Sequence, residues 1–235
     1  MEFKGILLER IKRTSSVESF RFRAGEKIDF LPGQFVSVLF DEKNRANRDL
    51  NKYLSFSASP GCPYVEITKR LSTSEFSRRL ECLKPGDEVL FNGPLGKCVF
   101  NEEYKKVIFL AGGIGITPVV SIIEYIAWRQ IAADVFLLYS NRTYEEIAFK
   151  RELDACKEKV HGLNIVYTLT DCPAPVKDCR KGRIDRQLLE REVPDMAQRR
   201  VFIYGPPAMV EGMKLLCRDV GCKEDMVLAE NFTGY

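Results

Sequence analysis

Only one histidine occurs in the 235 residues. It is His161, beside Gly162 in a stretch that reads as loop. With no second histidine, a histidine-based metal or acid–base site is not expected. None of the eight cysteines belongs to a CxxC pair. Cys217 and Cys222 have the CxxxxC spacing, but no cysteine stands at 225 to continue an iron–sulfur pattern. The expectation is reduced core and surface thiols in a cytoplasmic protein, with no metal site. The opening MEFKGILLERIKR has no sustained apolar core, so no signal peptide is read there. No membrane span is expected: the seventeen uncharged residues Val107–Ile123 fall short of the roughly 20 required and are interrupted by three glycines and a proline. A net charge of +3 is too slight to point to nucleic acid. What remains is an ordinary composition, 45% hydrophobic and 29% charged, sufficient for one large domain or two small ones with real cores.

Val107–Ile123 is the stretch around which the rest is arranged. An apolar run, Val107–Ala111, leads into Gly112, Gly113 and Gly115, then Thr117-Pro118 and a second apolar segment. This reads as a buried parallel strand, a glycine turn, and a helix that starts at Thr117 with Pro118 at its first helical position. Such a turn offers backbone N–H groups and a positive helix end to an anion, and its glycines let a planar ligand approach the backbone. A tight strand–helix junction with no ligand has the same pattern. The standard dinucleotide fingerprint is absent, because Pro118 stands where the last glycine of GxGxxG would fall.

The first hundred residues read as short strands and turns. Phe20 and Phe22 alternate with Arg21 and Arg23. Leu31–Gln34 is a turn into a strand at Phe35–Phe40, Asp41–Asn51 is a polar loop, Val65 and Ile67 alternate with Glu66 and Thr68, and Lys84–Asp87 turns into Val89 and Phe91. This spacing favours a small antiparallel barrel. One helix interrupts it after Ser72-Thr73-Ser74-Glu75, where Ser72 and Glu75 fit a capping box. The three hydroxyls beside Lys69-Arg70 fit either plain capping or a phosphate. In Tyr53–Pro60 aromatic and hydroxyl residues alternate: Tyr53, Ser55 and Ser57 share one face, and Leu54, Phe56 and Ala58 the other. A hydroxyl-bearing aromatic edge suits a flat heteroaromatic ring, although aromatics in strands are mostly core.

From Lys105 the periodicity changes. Strand-like runs at Val107–Ala111, Val135–Tyr139, Ile165–Leu169, Val201–Tyr204 and Val227–Ala229 alternate with helix-like segments at Val119–Arg129, Tyr144–Lys159, Asp185–Arg191 and Ala208–Val220. This alternation implies a parallel sheet covered on both faces, with ligands at the carboxyl ends of the strands where the strand order reverses. The fourth run ends in Tyr204-Gly205-Pro206-Pro207, a second Gly/Pro turn. If it neighbours the first run, the two turns face each other across one crevice. Ser140-Asn141-Arg142 ends the second run, where an adenosine ribose would lie; Ser140 and Arg142 suit a 2′-phosphate, or Arg142 is a solvated loop residue.

Taken in order, these motifs resemble the ferredoxin–NADP⁺ reductase superfamily over nearly the whole chain. The resemblance rests on Pro32-Gly33-Gln34-Phe35, Phe56–Pro60, Gly93-Pro94-Leu95-Gly96, Gly112–Pro118, Tyr204–Met209 and the ending Glu230-Asn231-Phe232-Thr233-Gly234-Tyr235. It implies a two-domain fold: an N-terminal antiparallel β-barrel that binds flavin, residues 1–102, followed by an α/β parallel-sheet nucleotide-binding domain, residues 103–235. It implies Phe56 and Ser57 against the isoalloxazine ring with Ser57 near N5, and Lys69 and Ser72–Ser74 at the flavin phosphates. Gly112, Gly113, Gly115 and Thr117 fall at the NAD(P) turn, joined by Gly205 and Pro206. Glu230 falls near the nicotinamide, with Phe232 or Tyr235 covering the flavin and Phe232 preferred by spacing. Two departures stand out: Leu54 replaces an arginine that grips the flavin phosphate, leaving FAD or FMN open, and Tyr204 replaces a cysteine beside the nicotinamide. Ser57, Tyr204 and Glu230 are thus the residues expected around the reacting atoms.

The activity implied is hydride transfer between NAD(P)H and bound FAD, then electron transfer to a separate carrier such as ferredoxin or flavodoxin. Arg142 favours NADP over NAD. Arg45, Arg48, Lys52, Arg78 and Arg79 are the candidate docking surface for an acidic carrier. The alternatives are an electron-transfer subunit of a larger oxidoreductase and a non-catalytic flavin- or nucleotide-binding module.

Overall fold

A computed structural model describes residues 1–232. Its first half is a six-stranded antiparallel sheet in the order β4-β3-β6-β1-β2-β5. The strands are β1 (Glu2–Lys12), β2 (Val17–Ala24), β3 (Phe35–Leu39), β4 (Asn51–Ser55), β5 (Val65–Arg70) and β6 (Glu88–Leu95). The sheet curls until Phe56, one residue beyond β4, bridges Ile67 of β5 and closes the barrel. Helix α1 (Glu75–Cys82) plugs one end with Phe76 and Leu80, both fully buried against the interior of Leu7, Phe20, Phe22, Val36, Val38 and Phe91. Its N-cap is Ser74, whose hydroxyl accepts from the Ser77 N–H at 3.3 Å. The capping residue is therefore Ser74 and not Ser72, because the chain is still extended there and turns helical only at Glu75.

The second half is a parallel six-stranded sheet in the order β10-β9-β8-β7-β11-β12. It comprises β7 (Lys106–Gly112), β8 (Asp134–Asn141), β9 (Leu163–Leu169), β10 (Cys179–Lys181), β11 (Arg200–Gly205) and β12 (Val227–Asn231), with helices α2 (Ile116–Arg129), α3 (Lys150–Lys159), α4 (Arg186–Glu192) and α5 (Pro207–Asp219). Burial on both faces explains the unbroken apolar runs: Val107, Phe109 and Ala111 pack on the side of α2 and α3, while Ile108 and Leu110 pack on the side of α4 and α5. The expected helix 144–159 is broken. Ile147, Ala148 and Phe149 tuck under the sheet, Phe149 adopts φ 60°, and α3 starts only at Lys150. Among the described residues no helix is long and apolar enough to cross a membrane.

The chain passes between the two sheets through residues 96–105, and the expected division after residue 102 falls in this connection. The halves are closely joined. Val17, Cys98 and Phe100 belong to the core of the parallel sheet. Ser121 Oγ donates to the Ala58 carbonyl at 2.7 Å, and the Glu124 carboxylate accepts from the Ser59 N–H at 3.2 Å. Arg13 pairs with Glu66 at 3.2 Å and with Glu152. The Trp128 ring lies over Gly61, where a Cβ would come within 2.6 Å of it.

Candidate functional site

The sheet order reverses between β8 and β11, which flank β7. The carboxyl ends of β7 and β11 are therefore the switch point at which α/β sheets bind ligands. Their two turns do not merely face each other; they touch. A Cβ on Gly115 would lie 2.4 Å from the Tyr204 carbonyl oxygen, and one on Gly112 would lie 2.2 Å from Met209 Sδ. Gly113, with φ 53°, has open space: the nearest atom to a Cβ there is Arg70 Nη2 at 3.9 Å. A helical turn over Gly113–Gly115 precedes α2, so Thr117 is inside the helix rather than capping it, and its hydroxyl donates to the Ile114 carbonyl at 3.1 Å.

Between these turns and the barrel lies a cavity of about 980 Å³. The barrel contributes Phe35 and Ser37 of β3, the loop around Arg45 and Arg48, Lys52–Ser55 of β4 and Thr68–Arg70 of β5; the other half contributes Ile114, Thr117 and Ala229–Phe232. Five cations, Arg45, Arg48, Lys52, Lys69 and Arg70, line it against one carboxylate, Glu230. Lys69 is buried, and its Nζ donates to the Arg70 carbonyl at 2.9 Å. Burial, with help from Lys52 and Arg70, pushes its pKa down to about 8. An anion placed there would reverse that shift. Arg70 reaches across the cleft, donating to Ser16 Oγ at 2.9 Å and to Glu146 Oε2 at 3.4 Å. Burial pushes Glu230 up to about 7. The size and the cation excess fit a large anionic ligand, while Gly112, Gly113 and Gly115 stand beside the lining rather than in it.

The expected site residues divide sharply. Lys69, Thr117, Glu230 and Phe232 line the cavity. Phe56 and Ser57 do not. Phe56 is fully buried in the barrel core, stacked on Phe30 with ring centroids 4.0 Å apart. Ser57 Oγ donates to Glu66 at 3.0 Å and lies 2.7 Å from Thr68 Oγ1. The closing bridge to Ile67 turns Phe56 into the barrel core, Ser57 faces the other way onto Glu66 and Thr68, and Leu54 and Ser55 take the cavity wall instead. Ser72, Thr73 and Ser74 cluster at the start of α1, outside the cavity lining; the hydroxyls of Ser72 and Ser74 bond each other at 3.1 Å and serve the helix end. Tyr204 is fully buried behind Glu230, its neighbour across β11 and β12, and does not reach the cavity. Gly205 accepts from the Phe232 N–H at 2.9 Å, and Pro206 is exposed at the start of α5. Ser140 pairs in register with Gly112 at the end of β8. Arg142 is exposed and lies 3.6 Å from Asp171. Tyr235 lies outside the described residues. Ser55 and Asn231 are among the lining residues that were not expected at the site; the same strand alternation that pointed to Ser57 contained Ser55.

Residues 109–214 match the family model described as an oxidoreductase NAD-binding domain, and the barrel that precedes them completes a two-part fold. The fold is the one seen in solved ferredoxin–NADP⁺ reductases. In sequence the chain is similar to the glycine betaine monooxygenase reductase subunit of Chromohalobacter salexigens, 31% identical over 219 residues that cover 90% of this chain and 59% of the relative. The chain thus spans about three fifths of the length of that relative. A cytochrome P450 reductase from Amycolatopsis shares the fold, with TM-score 0.85 at 20% identity over 100% of this chain and 70% of the other. So does a ferredoxin NADP⁺ reductase from Neisseria gonorrhoeae solved with FAD and NADP, with TM-score 0.81 at 22% identity over 98% of each chain.

Proposed function

We propose that this protein is an NAD(P)H-dependent flavin reductase that passes electrons to a separate carrier. The observation that supports this most directly is the cation-lined cavity placed between the β4–β5 face of the barrel and the sheet's switch point. In this reading Leu54 and Ser55 face the flavin ring, two residues before the positions the sequence suggested. The same shift places Lys52 where the resemblance requires a phosphate-gripping cation, so the apparent loss at Leu54 disappears. Lys52, Lys69 and Arg70 hold the phosphates of FAD, or of FMN as the smaller candidate. A bound flavin supplies the redox step. The protein aligns the partners: the Gly112–Gly115 turn and the start of α2 receive the nucleotide's pyrophosphate, Gly205 and Pro206 border it, Glu230 faces the nicotinamide, and Phe232 shields the flavin.

Arg142 supports NADPH less than its identity suggests, because the Asp171 carboxylate 3.6 Å away would repel a 2′-phosphate. We therefore favour NADH. The exposed Tyr53, together with Arg45 and Arg48, forms a rim that suits an acidic carrier or a partner oxygenase subunit, with Lys52 committed to the flavin phosphates. Arg78 and Arg79 of α1 lie outside the cavity lining. The eight free cysteines suit a cytoplasmic location. The test is anaerobic: purified protein reconstituted with FAD, or in parallel with FMN, is titrated with NADH and with NADPH while flavin absorbance is followed. Bleaching, faster with NADH, is expected. Failure to retain either flavin would refute the reading, and a retained flavin that neither nucleotide bleaches would leave only the binding-module alternative.

A further inference from the structure

Behind the cavity the two halves meet at a buried, reciprocal pair. The Cys98 thiol, in the connection after β6, donates to Tyr204 Oη at 3.2 Å, and Tyr204 Oη donates to the Cys98 carbonyl at 3.1 Å. Both residues are almost wholly buried. Burial also holds the thiol pKa up at about 12, so the thiol is protonated and able to donate. The Cys98 segment is fixed from the barrel side. A Cβ on Gly33 would lie 2.4 Å from the Cys98 carbonyl oxygen, Phe100 N–H donates to the Pro32 carbonyl at 3.0 Å, and Gln34 Nε2 donates to the Gly96 carbonyl at 3.3 Å. Tyr204 is fixed from the other side, in register between Ala111 of β7 and Glu230 of β12. Glu230 sits between the two: its Oε1 is 3.7 Å from where a Cβ on Gly96 would lie. The Phe232 ring meets Tyr204 edge-on, with centroids 6.4 Å apart.

We infer that Cys98 is a positioning residue which, through the Tyr204 phenol, pins the barrel to the parallel sheet directly beneath Glu230 and so sets the spacing across which hydride moves. This deepens the proposed function and rests on it. Among the described residues, the cross-links at Ser121–Ala58, Glu124–Ser59 and Arg13–Glu152 join the barrel to α2 and α3, and Arg70–Glu146 joins it to the turn after β8; none of these lies on the β11–β12 side, where this pair sits. Tyr204→Phe removes both hydrogen bonds while keeping the ring. Cys98→Ala removes the thiol donor and keeps the carbonyl acceptor. Cys98→Ser restores a donor. Hydride transfer is steep in distance, so loosening the pin by a fraction of an ångström affects rate before binding.

The experiment is stopped-flow bleaching of the flavin-loaded protein by NADH, combined with the rate of iodoacetamide alkylation at Cys98 in flavin-free protein, mapped by mass spectrometry. The expected result is that Tyr204→Phe and Cys98→Ala bleach about tenfold more slowly with the KM for NADH unchanged. Cys98→Ser should recover most of the rate, and Cys98 should alkylate faster in the Tyr204→Phe protein than in wild type. Unchanged bleaching in Tyr204→Phe and Cys98→Ala, or Cys98→Ser no better than Cys98→Ala, overturns the pin. Alkylation equally slow with and without the phenol also overturns it, in a readout that needs no flavin. A wild type that holds flavin and is not bleached overturns the functional reading instead, and the positioning role with it.

Discussion

Ser55 and Ser57 are two residues apart, yet one faces the cavity and the other is held in the barrel wall. Substitution separates them. Ser57→Ala takes a donor from the Glu66 carboxylate, which is buried between Arg13 and Arg21. Leaving such a group short of a partner costs about 1–3 kcal/mol. A clear drop in Tm with normal flavin bleaching is expected. Ser55→Ala is expected to slow bleaching several-fold with Tm almost unchanged. Thermal melts and stopped-flow on both variants decide the matter; slow bleaching in Ser57→Ala at normal Tm would return the flavin to the position first expected from the sequence.

At the level of elements, the contact between the two glycine turns is where a small change has the largest effect. An alanine Cβ at 115 would meet backbone on the far side, 2.4 Å from the Tyr204 oxygen and 2.9 Å from the Gly205 nitrogen, and backbone cannot rotate away. Overpacking of this kind costs about 1–3 kcal/mol. Gly115→Ala is expected to weaken nucleotide binding about tenfold, taking 1.4 kcal/mol per decade, while the barrel retains its flavin; difference-spectral titration with NAD⁺ tests both. Much of this architecture was legible in advance. Strands β7 and β11 are buried on both faces and β8 largely so, and they read as apolar runs; β9 and the half-buried edge strand β12 still carry short apolar stretches, and α2 and α5 show helical periodicity. That the two turns face each other is conditional on their strands being neighbours, and the pairing of β7 with β11 meets that condition. What could not be read depends on contacts distant in sequence. The bridge between Phe56 and Ile67 closes the barrel just where the cavity lining stops, at Ser55, and no local pattern records it. The three-residue β10 has no period to detect, and the break at Phe149 is imposed by the sheet above it.

For the whole molecule, the seam between the halves contains an acid that resists ionisation. Burial, reinforced by Glu66, pushes Glu124 up to about 7. A carboxyl whose folded pKa is raised favours folding fully below its unfolded pKa, and that contribution is lost as pH rises through the folded value. Between about pH 4.5 and 7 the loss amounts to about 3 kcal/mol at 1.36 kcal/mol per pKa unit. Glu230, also raised to about 7, adds a second component of the same sign. Glu124→Gln is expected to be more stable than wild type at pH 8 and to show a shallower decline from pH 5 to 8, with the Glu230 component left; denaturant unfolding across that range measures it, and an unchanged slope would show that Glu124 ionises freely in the fold. The same seam carries an optical gauge of its own. Trp128 is the single tryptophan of the chain and rests on Gly61 from α2. The residue is already 57% exposed, and its ring is covered on the face that meets Gly61. Separation of barrel from sheet on that side would free the ring to turn, and the anisotropy of one indole would report opening without a label.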